Sequence, residues 1–122
     1  MSDALDPRLA KKSRPVHVYK VPMGVDPSIE SVGLVEITSD EELMAEKLAH
    51  GDRGRIPIEL AKSMISEIDG KRVSQADGSV DSAWERMTPK MRNLITSAYV
   101  RLHIPQKEET DSFFASLEVK VA

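Results

Sequence analysis

The chain has 122 residues, of which 40% are hydrophobic and 30% charged, so it is sized for one domain with a real core and is too apolar for global disorder. Its formal net charge of -3 and pI near 5.6 argue against a dedicated nucleic-acid binder, which needs clustered cations. The absence of cysteine excludes disulfides, thiolate metal sites and a thiol nucleophile, and fits a cytoplasmic protein.

Residues 1–14 mix charge, Ser and Pro without periodicity and carry Arg8, Lys11, Lys12 and Arg14. They read as a flexible basic tail ahead of a single mainly helical domain over 15–122. No apolar run follows these cations, so no signal peptide is expected, and no stretch approaches the ~20 apolar residues of a membrane span.

Val16 to Val21 is rich in β-branched and aromatic residues and ends at Pro22, which predicts a strand. Met23 to Ser31 is a loop. Val32 to Thr38 is a second strand candidate, weakened by Gly33, and the two strands can pair as a hairpin over the long connection. A helix is predicted from Ser39, with Ser39 and Glu42 as a capping box and Gly51 as its stop. Leu43, Met44, Ala45 and Leu48 form its apolar side. A second helix is predicted from Ile56 to Ile68, with Pro57 near its first position and Ile58, Ala61, Ile65 and Ile68 as its stripe. Asp69-Gly70 and Asp77-Gly78 are turns, with a short extended piece from Lys71 to Gln75 between them.

Ser82 and Glu85 suggest a second capping box, opening a short helix through Trp84 and Met87. Thr88 caps the next helix and Pro89 takes its first position. There Met91, Leu94, Ile95, Ala98, Tyr99 and Leu102 lie on one stripe of a 3.6-residue helix that stops before Pro105. A final helix is predicted from Gln106 to about Ser116, with Phe113 and Phe114 as apolar residues. The alternation of Leu117 to Val121 leaves a terminal strand or a continued helix open. The fold class is therefore α+β and mainly α, with four to five short helices and a small N-terminal β element.

No catalytic constellation emerges. His17, His50 and His103 have no i, i+4 partner, and read as surface histidines rather than metal or catalytic groups. Gly51 to Arg55 resembles an anion cradle but lacks the Lys-Ser/Thr ending of a phosphate loop. Asp77 to Asp81 starts like a calcium loop, then places Ser82 and Thr88 where Gly and Glu are needed. The acids Asp40, Glu41, Glu42 and Glu46 suit a solvated helix start. No enzyme, cofactor or metal is expected. The partner-binding candidates are Trp84, Met91, Tyr99, Phe113 and Phe114. Each aromatic among them is read first as core, and any that proves exposed is the natural anchor for a partner.

The order of these segments carries a resemblance. Two β segments precede Glu42-Leu43-Met44-Ala45-Glu46-Lys47-Leu48-Ala49 and Ile58-Glu59-Leu60-Ala61-Lys62. Ile68-Asp69-Gly70-Lys71-Arg72-Val73, Ala83-Trp84-Glu85-Arg86-Met87, Pro89-Lys90-Met91-Arg92 and a closing Glu108 to Phe114 stretch follow. Over residues 16–122 this resembles the tail assembly chaperones of tailed bacteriophages and prophages. The resemblance implies a non-enzymatic cytoplasmic protein that coats the tape measure protein, recruits tail tube subunits and is absent from the finished virion. It also implies a longer form made by ribosomal frameshifting. The β segments depart from that family's helical picture and keep two alternatives in view. One is a structural or connector subunit of a phage-like tail or particle. The other is a small regulatory nucleic-acid-binding protein acting through its basic tail. A homo-oligomer remains open.

Overall fold

The computed structural model describes residues 14–121. Residues 1–13, most of the expected basic tail, lie outside the described residues. The described chain is α+β and mainly α: two strands, two helices, two strands and three helices in that order.

Strand β1 (His17–Lys20) and β2 (Ser31–Leu34) form the predicted antiparallel hairpin, with His17 opposite Leu34 and Lys20 opposite Ser31. Helix α1 (Ser39–Leu48) follows, then α2 (Ile56–Met64). The segment Ile65–Ile68, expected as the end of α2, is instead strand β3, paired antiparallel with β2. A tight turn at Asp69-Gly70 leads to β4 (Lys71–Arg72). The sheet order is β1-β2-β3-β4, so half of the sheet comes from mid-chain rather than from the N-terminus.

The isoleucine spacing that extended the helix serves a strand equally well. Ile65 pairs with Leu34 and Ile68 with Val32, around a register shift between Gly33 and Leu34. That irregularity accounts for the weak glycine in β2. A Cβ on Gly33 would sit 2.7 Å from Val16 Cγ1 and about 3.0 Å from Glu67. The close approach of neighbouring side chains demands hydrogen at that position.

Helices α3 (Ser79–Arg86) and α4 (Pro89–His103) join α2 on one face of the sheet. Val32, Leu34 and Ile65 from the sheet meet Ala61, Met64, Val80, Trp84, Met91 and Ile95 from the helices in one core. The α4 stripe holds as a packing face: Met91, Ile95 and Ala98 are buried, Tyr99 and Leu102 are half-buried, and Leu94 is exposed. Of the apolar side expected for α1, only Ala45 is buried. Helix α5 (Lys107–Ala115) buries no residue. Residues 117–121 form neither a strand nor more helix.

The caps differ in detail from those expected. Thr38 with Glu41, not Ser39 with Glu42, makes the capping box of α1. Helix α3 begins at Ser79, directly after the Asp77-Gly78 turn and three residues before the expected Ser82: its N-cap is Gly78, and no side chain caps it. Thr88 caps α4 as predicted, accepting from the Met91 amide at 3.2 Å.

Candidate partner-binding site

The five candidate residues separate by burial. Trp84 and Met91, at 6% and 3% exposure, are core residues. The Trp84 ring packs under the Arg92 guanidinium at 5.6 Å, and Arg92 Nε donates to the Trp84 carbonyl at 2.9 Å. Neither side chain is presented to a partner by this packing, although Met91 contributes to the floor of a groove described below.

Tyr99 is half-buried and committed to an internal network. Its hydroxyl donates to Glu42 Oε2 at 2.6 Å, which ties α4 to the first turn of α1. Burial, then the Glu42 hydrogen bond and the charges of Glu42 and Glu46, push its phenol up to about 12. The ring stacks on His103 with centroids 4.4 Å apart. The Ile37 amide donates to His103 Nε2 at 2.9 Å, so Nδ1 carries the hydrogen that bonds to the Tyr99 carbonyl, also at 2.9 Å. His103 is therefore a connector between α4 and the segment after β2, not the surface histidine expected from sequence.

Phe113 and Phe114 are the exposed pair, at 71% and 69%. Their rings meet edge to face with centroids 5.2 Å apart. Helix α5 holds them through local interactions: a Gln106–Glu109 capping box and a Lys107–Asp111 ion pair at 2.8 Å. The ion pair stabilises the helix by a few tenths of a kcal/mol and a cap by about 1 kcal/mol, and a nine-residue helix is marginal without packing. Ile104, Leu117, Val119 and Val121 are also exposed, so residues 104–121 form an arm with apolar side chains in water.

A groove lies between the inner side of β1 and helix α4. Tyr19, Val21, Pro22, Val32 and Leu34 line one side, and Met91, Leu94, Ile95 and Ala98 the other, enclosing about 320 Å³. Lys20 and Arg101 are its charged lining residues, and no carboxylate lines it. Sequence reading missed this groove, because it requires β1 to lie beside α4 some seventy residues later in the chain (roughly, from their ranges). The one local signal was Leu94, an apolar residue on the α4 stripe that the core leaves exposed.

The other polar features are structural. Arg14, expected in the mobile tail, donates to the Glu36 carbonyl at 2.9 Å and pairs with Glu41 at 2.6 Å. In the glycine loop before α2, Asp52 accepts from the Gly54 amide at 2.9 Å, so the loop's own carboxylate takes a donor that an anion would need. Asp77 accepts from the Ser79 amide and hydroxyl, which lowers its pKa. Buried Glu59 lies between Arg55 at 3.5 Å and Lys62 at 3.9 Å, and Lys62 also reaches Asp81 at 3.1 Å. Among the described residues, no three His, Cys, Asp or Glu side chains are grouped to hold a metal, and no helix is long and apolar enough to cross a membrane.

Among the described residues, the surface thus offers an apolar arm and an apolar groove. No family model, curated protein or solved structure matches this chain, and its function is read from that surface.

Proposed function

We propose that this protein is a non-enzymatic assembly chaperone that holds an aggregation-prone helical partner during phage tail morphogenesis. The tape measure protein is the expected partner, with tail tube subunits recruited to the complex. The observation that carries the reading is the arm. Phe113 and Phe114 are held in water by a helix that buries nothing, and Leu117 just beyond it is exposed too. Exposed adjacent aromatics are interface anchors, since aromatic burial dominates binding energy. Exposed Leu43 and Met44 on α1 add a second adaptable apolar surface. The resemblance over residues 16–122 supplies the phage context.

A structural or connector subunit is the second reading. The antiparallel sheet, with the exposed strand β1 at one edge among the described residues, favours it over an all-helical chaperone, because an edge strand can pair with a strand from a neighbouring subunit.

The test is affinity purification of the tagged full chain from cells carrying its native locus, read by mass spectrometry. Recovery of a long helical tape measure protein, lost on replacing Phe113 and Phe114 by Asp, supports the chaperone. Recovery instead as a fixed-stoichiometry component of purified particles selects the structural subunit. Recovery of neither overturns both.

A further inference from the structure

The arm and the groove match each other in three respects. The first is size. An apolar cavity of about 150 Å³ holds one benzene ring. At about 320 Å³, the groove between β1 and α4 has room for two, and the arm offers two adjacent phenyl rings. The second is polarity. Leu94, at the groove mouth, is 44% exposed, and the floor of Val32, Leu34 and Ile95 is aliphatic.

The third is charge. The arm from 104 to 121 carries Glu108, Glu109, Asp111 and Glu118 against Lys107 and Lys120, and Lys107 is already paired with Asp111. The groove carries Lys20 and Arg101, and neither has a carboxylate partner among the described residues. Glu109 lies one helical turn before Phe113 and so borders the aromatic face. Seating the rings therefore brings an acidic rim against a basic one.

We infer that the groove between β1 and α4 receives the C-terminal arm of a second copy of this chain, so that two copies exchange arms. The arm leaves α4 at Ile104, just past the groove residue Arg101, and α5 buries nothing on its own body. Two identical chains each present one arm and one groove, so reciprocal exchange satisfies both in a closed pair. The docked pair covers the aromatic face until a partner competes for it. The inference rests on the arm being a docking element, as in the proposed function, but each fails separately. A chain that captures its partner through Phe113 and Phe114 while remaining monomeric keeps the function and loses the exchange.

The experiment is sedimentation equilibrium on the full chain from about 1 to about 300 μM, a range that captures micromolar association. The expected result is a dimer of the 13.5 kDa chain. Phe113→Asp with Phe114→Asp, and separately Leu94→Glu, should each weaken it at least ~10-fold, equivalent to about 1.4 kcal/mol. Both changes fall at exposed positions, and an unchanged circular dichroism spectrum checks folding. Mixing the two variants should restore a heterodimer, because the arm variant still supplies a groove and the groove variant an arm. A chain monomeric at every concentration, which includes an arm folded onto its own groove, overturns the inference. So does a dimer indifferent to the Asp pair, or a mixture that fails to recover.

Discussion

Asp26 and Thr88 are 62 residues apart in sequence and joined in the fold. The Asp26 carboxylate is buried and accepts from the Ser28 hydroxyl at 2.6 Å, the Ser28 amide at 3.0 Å and the Thr88 amide at 3.0 Å. Thr88 in turn donates its hydroxyl to the Val25 carbonyl at 2.7 Å while capping α4. The clip fastens the β1–β2 connection to the start of α4. These bonds, led by the Ser28 hydroxyl, outweigh burial and hold the Asp26 pKa below the usual 3.8. A depressed folded pKa means stability that is present above the unfolded value and is lost as pH falls through the folded value. Asp26→Asn turns an amide donor toward the Thr88 or Ser28 donors and should cost about 1.5–3 kcal/mol at neutral pH, measured by urea unfolding. The gap between wild type and variant should narrow below about pH 3.8, as the wild-type carboxyl protonates. No sequence pattern marks this pair; Asp26 reads as one acid in a loop because its partner arrives through the tertiary fold.

At the scale of elements, the helices were the legible part. Helix α4 combines a Thr cap, a Pro at its start and a six-residue apolar stripe, and three local signals agreeing leave little for tertiary context to change. The segment Ile56 to Ile68 is the counterexample. Its apolar positions suit a helix throughout, yet the chain leaves the helix at Ile65, with φ -71° and ψ 118°. Asp69-Gly70, a turn from its sequence, is also a dipeptide that favours a two-residue hairpin and so a strand on either side. Both residues have positive φ, 51° and 79°, and the Asp69 side chain accepts from the amides of Glu30 at 2.7 Å and Ser31 at 2.9 Å, locking the turn to β2. Gly70→Ala should destabilise the protein by about 1–2 kcal/mol, the cost of a left-handed conformation for an L-residue. No atom lies within 4 Å of the added Cβ, so that cost is conformational, and a denaturant titration showing no loss would contradict the turn geometry.

For the whole molecule, the sheet and α2 to α4 share a core that α5 does not enter. Deleting residues 107–122 should therefore leave the monomer's thermal unfolding within about 0.5 kcal/mol of the full chain, when measured at concentrations too low for association. A larger loss would mean that the arm packs on the body.

Sequence alone determined the fold class, the N-terminal hairpin, and the cap and face of α4, because each rests on patterns within one element or between elements adjacent in the chain. Tertiary structure decided that Ile65–Ile68 is a strand, that Trp84 and Met91 are core while Phe113 and Phe114 are exposed, and that β1 and α4 enclose a groove. Periodicity shows that a residue is apolar and which way it faces on its own element. Whether that face meets a core, a groove or water depends on elements distant in the chain.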